Sequence, residues 1–170
     1  MSTNKIMIVG EAWGQEEEEQ GQPFVGPSGK LLNQMLGQVG ISRKESYLTN
    51  VFNLRPQPKN DVENLCGPKG TALAGYPALK SGKYIRAEFA NELARLYREI
   101  KEEQPNLIIA LGASAAWALL GTSGIKRIRG APSSLYGPAL AAVGSPIKVL
   151  PTYHPAAILR EWPLRAKTIA

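Results

Sequence analysis

Four short apolar runs punctuate the chain: Ile6-Met7-Ile8-Val9, Tyr47-Leu48-Thr49-Asn50-Val51-Phe52, Leu107-Ile108-Ile109-Ala110-Leu111 and Ile147-Lys148-Val149-Leu150. Each has the length and β-branched content of a strand, and the stretches between them carry helical spacing. After Pro27, Ser28 reads as an N-cap, and Leu31, Leu32, Met35, Leu36 and Val39 recur on one helical face until Gly40. Residues 86–103 place Phe89, Leu93, Leu96, Tyr97 and Ile100 on one stripe. Gly112 opens a third, shorter helix through Leu120, which Gly121 ends. Strands separated by helices pack as a largely parallel sheet covered on both faces. The expected fold is α/β, a three-layer α/β/α sandwich around a mostly parallel four-stranded sheet. The 170 residues, 44% of them hydrophobic, suffice for one ordinary core, and no Pro/Gly/Ser linker divides them. One domain over 1–170 is expected.

Residues 57–85 depart from this alternation. They are rich in Pro, Gly, Lys and Asn, show little periodicity and exceed an ordinary connection, so they read as an extended surface loop. Lys59, Lys69, Lys80 and Lys83 with Tyr76 and Tyr84 suit tracking a nucleic-acid backbone, and equally suit a solvated insertion.

Charge and cysteine content narrow the function classes. The formal charge of +6 is uneven: residues 1–125 carry thirteen basic and thirteen acidic side chains, residues 126–170 seven basic and one acidic. Such a basic region lowers the cost of approaching phosphates, or serves solubility. The single Cys66 excludes an internal disulfide and a four-thiolate metal site. A polar N-terminus running straight into a strand, with no long apolar stretch, argues against secretion and membrane insertion and for a cytoplasmic protein.

Open parallel sheets bind ligands beyond the carboxyl ends of their strands. Three of the four strands deliver a polar group there: Glu11 after the first, Asn50 near the end of the second, His154 after the fourth. A lone histidine or asparagine has many structural uses. A carboxylate, an amide and the chain's one imidazole brought to a single edge have fewer.

Longer motifs surround these residues. Gly10-Glu11-Ala12-Trp13-Gly14, Glu17, Gly21, Pro23-Phe24-Val25-Gly26, Ser28, Gly29, Leu31 and Leu32 form the first, and Thr49-Asn50-Val51 with Arg55-Pro56 the second. Ala110-Leu111-Gly112-Ala113 with Ala115, Leu119, Leu120 and Gly121 forms the third, and Tyr153-His154-Pro155-Ala156 with Leu159 and Arg160 the fourth. In order and spacing this set resembles the uracil-DNA glycosylase superfamily, closest to its family-four branch.

The resemblance implies a monofunctional glycosylase that hydrolyses the N-glycosidic bond of uracil in single- or double-stranded DNA and leaves an abasic site. Glu11 then stabilises the cationic sugar and positions the attacking water. His154, as a neutral imidazole, donates to the uracil O2 as charge builds there. Gly10, Ala12, Trp13 and Phe24 form the base pocket, with Phe24 stacking on the flipped base, and Asn50 reads its edge. Glu17 either supports the first loop or belongs to a solvated acidic run. Ser28 with the helix N-terminus, and backbone N–H groups of the loop at Pro155, contact phosphates. Lys126, Arg127 and Arg129 align with a basic loop that lies beside the DNA in the family.

Two departures stand out. The family's iron-sulfur cysteine before Arg-Pro is Leu54 here, so no cluster or metal is expected. The family's proline in the first motif is Trp13, which can stack on or wedge beside DNA, reshape the pocket or pack under the loop. Uracil excision by a monomer is the leading expectation; excision of another modified pyrimidine and a silent DNA-binding module are the alternatives.

Overall fold

The computed structural model describes residues 5–160. Arg165 and Lys167, part of the carboxyl-terminal basic excess, lie outside the described residues. Along the chain run β1 (Ile6–Ala12), α1 (Gln15–Gln20), α2 (Pro27–Gln38), β2 (Ser46–Phe52), β3 (Cys66–Gly67), β4 (Tyr84–Ile85), α3 (Ala90–Glu103), β5 (Leu107–Leu111), α4 (Gly112–Leu120), α5 (Ile125–Ile128), β6 (Ser133–Ser134), α6 (Gly137–Val143), β7 (Lys148–Thr152) and α7 (Pro155–Arg160). The main sheet has the order β2-β1-β5-β7-β6, parallel except for β6.

The sheet therefore has five strands, not the four expected. The additional β6 is two exposed serines paired antiparallel to Lys148 and Val149 of β7, too short and polar to leave a periodic signal. The four sequence-visible strands are the parallel ones, and all end at the same edge.

Alternation along β1 and β5 builds the two faces. Met7, Val9, Ile108 and Ala110 point into a core with Leu93, Leu96 and Ile100 of α3, Trp117 and Leu119 of α4 and Val143 of α6. Ile8 and Leu111 point the other way, against Leu32 and Leu36 of α2. Leu31 and Met35 of α2 meet Tyr153 and Ile158, docking α7 beside it. This gives helix layers on both sheet faces.

The start of α2 differs from expectation. Gly26 is the N-cap and Pro27 occupies the first turn, so Ser28 lies inside the helix rather than capping it. Proline's fixed φ and missing N–H suit that position.

Residues 57–85 are also more ordered than a surface loop. β3 and β4 pair antiparallel, and Leu65, Leu79 and Ile85 are buried in the main core. The Trp117 indole donates to the Pro77 carbonyl at 2.8 Å, and Ser123 Oγ donates to the Leu79 carbonyl at 2.8 Å. Tyr76 packs its ring 4.9 Å from Trp117, and its hydroxyl meets that of Tyr97 at 2.7 Å. Lys80 and Lys83 both pair with Glu63.

Trp117→Phe keeps most of the buried ring and removes one hydrogen bond worth about 1 kcal/mol. Protease cleavage within 57–85 should accelerate roughly fivefold, with little change in helical signal. Cleavage at the original rate would mean that the indole bond does not hold the segment.

Candidate active site

Gly10 of β1 stands directly opposite Asn50 of β2 in the parallel register. A Cβ at Gly10 would lie 2.5 Å from Asn50 Oδ1 and 2.4 Å from Phe24 Cζ. Only a residue without a side chain lets an amide and an aromatic ring close over the strand at this point. Asn50 is 2% exposed, so its amide is held in an enclosed setting.

β2 is an edge strand, and its outer carbonyls need donors. Arg95 of α3 supplies them, donating to the carbonyls of Asn50 at 2.8 Å and Val51 at 2.9 Å and to Thr49 Oγ1 at 3.2 Å. Glu99 pairs with the same guanidinium, and Glu92 lies 3.6 Å away. The backbone of Asn50 is thereby clamped from outside the sheet.

Phe24 has φ 54°, a left-handed conformation uncommon for an aromatic residue. Arg43 stabilises it, donating to the carbonyls of Phe24 at 2.9 Å and Pro23 at 3.1 Å. A Cβ at Gly29 would lie 2.0 Å from the Phe24 carbonyl oxygen, so the bend fits only against a bare backbone. The Phe24 and His154 ring centroids are 6.1 Å apart at 32°.

His154 follows β7. Its Nδ1 accepts the N–H of Ala156 at 3.0 Å, which leaves Nδ1 without a proton and places the hydrogen of a neutral ring on Nε2. Gly112, φ +88°, lies alongside: a Cβ there would be 2.9 Å from the His154 Cβ.

Glu11 extends from the end of β1, and its Oε2 accepts from Ser114 Oγ of α4 at 2.5 Å. Glu17 of α1 does different work. It accepts from the N–H groups of Gly14 at 3.0 Å, Val25 at 2.9 Å and Gly26 at 2.7 Å, tying the two ends of the first loop together. Burial raises its pKa, but these backbone hydrogen bonds outweigh burial and hold the carboxyl below its ordinary range.

Glu11, Ala12, Trp13, Phe24, Ser28, Asn50 and His154 come together around a cleft of about 170 Å³, with Gly10 beneath. A larger groove of about 590 Å³, between α2 and the sheet, is mainly apolar and contains none of these groups. Pro155 is buried, and Ala156 rather than Pro155 reaches the cleft. The N–H groups expected to offer an anion site there are engaged within the turn: Ala156 on the imidazole, and Ala157 on the His154 carbonyl at 2.9 Å. Lys126 and Arg127 are exposed on α5, outside the cleft lining, and Arg129 lies over the Tyr153 ring at 5.6 Å.

Sequence reasoning missed Ser114, Arg43, Arg95 and Asn60. Asn60 brings the 57–85 segment to the cleft, its Oδ1 accepting from Arg55 Nε at 2.6 Å. Only Ser114 left a trace, as the one hydroxyl in an otherwise apolar helix.

An iron-sulfur cluster needs several thiolates in one place. The chain has one cysteine, and among the described residues no group of three or more His, Cys, Asp or Glu is placed to hold a metal. Burial pushes the Cys66 thiol up, away from the thiolate form, and both Leu54 and Cys66 pack against the core. The residues present do not fit the group.

The architecture and site are those of an α/β protein that binds at the carboxyl edge of a parallel sheet, with a carboxylate, an amide and an imidazole converging there. The chain belongs to the Uracil DNA glycosylase superfamily, whose family model matches residues 2–169. It is 34% identical over 166 residues to a Type-4 uracil-DNA glycosylase of Archaeoglobus fulgidus, covering 95% of this chain and 70% of the relative. A Type-4 uracil-DNA glycosylase of Pyrobaculum aerophilum is 34% identical over 164 residues, with 95% and 71% coverage. One of Thermotoga maritima is 32% identical over 158 residues, with 92% and 67% coverage.

Glu17 supplies a pH test. Its folded pKa lies below the ordinary value of 4.5, so its contribution to stability is present above that value and is lost as pH falls through the folded one. The gap in urea midpoint between the parent and Glu17→Gln should be widest near pH 7 and narrow progressively as pH falls below the ordinary carboxyl value. A gap independent of pH would show that its charge does not brace the loop.

Proposed function

We propose that this chain is a monofunctional uracil-DNA glycosylase, hydrolysing the N-glycosidic bond of deoxyuridine to leave an abasic site. The observation that carries this reading is His154, whose Nδ1 accepts a backbone N–H, in a cleft shared with Glu11 and Asn50. In the neutral ring that hydrogen bond places the hydrogen on Nε2, the kind of donor a departing base needs.

Breaking the bond sends its electron pair to the base and leaves positive character on the sugar. A donor at the base oxygen and a carboxylate near the sugar stabilise the two developing charges. His154 donates to the uracil O2; Glu11 steadies the cationic sugar and orients the water that adds to it. The cleft, smaller than typical drug-sized pockets, suits one flipped pyrimidine ring. Phe24 stacks on that ring, Gly10, Ala12 and Trp13 shape its surroundings, and Asn50 offers one donor and one acceptor to the O4 and N3–H edge. Among the described residues no lysine lines the cleft, which favours water over an amine nucleophile. The relatives' name, Type-4 uracil-DNA glycosylase, supports the same substrate.

Ser28 and the start of α2 serve the target phosphate, and Lys126, Arg127 and Arg129 the flanking backbone. We read the enzyme as a cytoplasmic monomer, since one copy carries the whole cleft, and as cofactor-free, since its donor set does not suit a cluster. No helix among the described residues is long and apolar enough to cross a membrane.

One observation favours the modified-pyrimidine alternative. The Trp13 indole N–H is buried without a protein acceptor, and Trp13 lines the cleft where the family has proline. A large aromatic surface in place of proline changes the shape offered to a base there. A panel of modified oligonucleotides separates the two substrates, and tight uracil-DNA binding without base release would identify a silent binding module.

Base release from oligonucleotides bearing one uracil, read by alkali cleavage at the abasic site, tests the main reading. His154→Ala should reduce release by roughly 10²- to 10³-fold while leaving DNA binding largely intact. Well-folded parent protein that releases no uracil would refute the activity. Lys126→Ala with Arg127→Ala should weaken binding and lower its salt slope by about one for each phosphate no longer neutralised. An unchanged slope would remove α5 from the DNA face.

A further inference from the structure

Apart from tyrosines and the Trp117 indole, the buried polar side chains among the described residues are Thr49, Asn50 and Ser114. Thr49 and Asn50 lie on the strand that Arg95 clamps. Ser114 is 1% exposed and sits in α4 among alanines, leucines and a tryptophan. A buried hydroxyl lowers helix propensity and must find a partner, and apolar packing alone would be served as well by alanine. Its partner is Glu11 Oε2, 103 residues away in sequence.

The place of this hydrogen bond in the sheet matters. β5 lies between β1, which carries Glu11, and β7, which leads to His154. The turn from β5 into α4 touches both neighbours: Gly112 fits against the His154 Cβ, and Ser114 donates to Glu11. One turn on the central strand therefore adjoins both groups.

We propose that Ser114 is a positioning residue that holds the Glu11 carboxylate in register with His154; the inference rests on the glycosylase reading given above. Its hydroxyl donates to Oε2 and restrains rotation of the carboxylate. Small misplacements at a reacting centre are costly in rate even where binding is intact.

A double-mutant cycle with Glu11→Ala tests the role. Ser114→Ala should slow single-turnover uracil release about tenfold with unchanged affinity for uracil-DNA, and Ser114→Thr, which keeps the hydroxyl, should restore most of the rate. In a Glu11→Ala background, Ser114→Ala should cost less than twofold more, because the group it positions is gone. Urea midpoints of the same four proteins should also be non-additive, a substrate-free readout of the hydrogen bond. If Ser114→Ala does not fold, Ser114→Cys, similar in size but a weaker donor, carries the same expectation.

A parent-like rate for Ser114→Ala would overturn the proposal, as would an equal loss with and without Glu11, or additive midpoints. Parent protein that releases no uracil refutes the glycosylase reading instead, and the midpoints then still decide whether Ser114 and Glu11 are coupled.

Discussion

The site depends on a missing side chain. Gly10 faces Asn50 across a parallel pair, with the Phe24 ring closing from the loop, and any Cβ there would meet both at about 2.5 Å or less. Parallel strands fix the heights of their residues, so Asn50 cannot slide to make room. Phe24 cannot retreat easily either, because its left-handed backbone is backed by Gly29 and tied by Arg43. The base-sized cleft is therefore a packing result, set before any catalytic group is considered.

Charged side chains are used here largely to hold backbone. Arg95 satisfies the outer carbonyls of an edge strand, Arg43 those of the Pro23 to Phe24 bend, and Glu17 the N–H groups where the first loop rejoins α2. A guanidinium presents several donors in a fixed plane, and a carboxylate accepts several N–H groups at once, so each can fix irregular chain that no ladder or helix would satisfy. The regular sheet sets the positions of Glu11, Asn50 and the strand before His154. These three ion-rich braces set the loops that complete the cleft. The imidazole is also held by backbone, through the N–H of Ala156.

What the sequence revealed divides along the same line. The four parallel strands and the helices α2, α3 and α4 were legible because burial imposes a repeating pattern on apolar residues. The convergence of Glu11, Asn50 and His154 was legible because strand ends in such sheets share an edge. The braces were not, because a surface arginine and one that clamps a neighbouring strand look alike in one dimension. Arg95 lies on the polar side of an amphipathic pattern, and nothing in its flanks signals Thr49, Asn50 and Val51. β6 escaped because two serines carry no period. Ser28 was misread as a cap because the Gly-Pro pair ahead of it supplies the helix start by conformation alone.

The 57–85 segment follows Leu54, which stands where the resemblance places a cluster cysteine. A metal cluster pins a loop with few residues, since its bonds replace a core. Here the same region is pinned by area: Leu65, Leu79 and Ile85 enter the main core, and Leu54 and Cys66 pack against it. Burial of three aliphatic side chains of this size contributes several kcal/mol, well short of the backbone entropy of ordering the stretch between β3 and β4 at roughly 1–2 kcal/mol per residue. That balance accounts for the hydrogen bonds placed at the remaining turns, from Trp117 to Pro77, from Ser123 to Leu79 and between Tyr76 and Tyr97. They fix the stretches that apolar burial leaves out. The segment also reaches the cleft through Asn60, so its stability bears on the shape of the site.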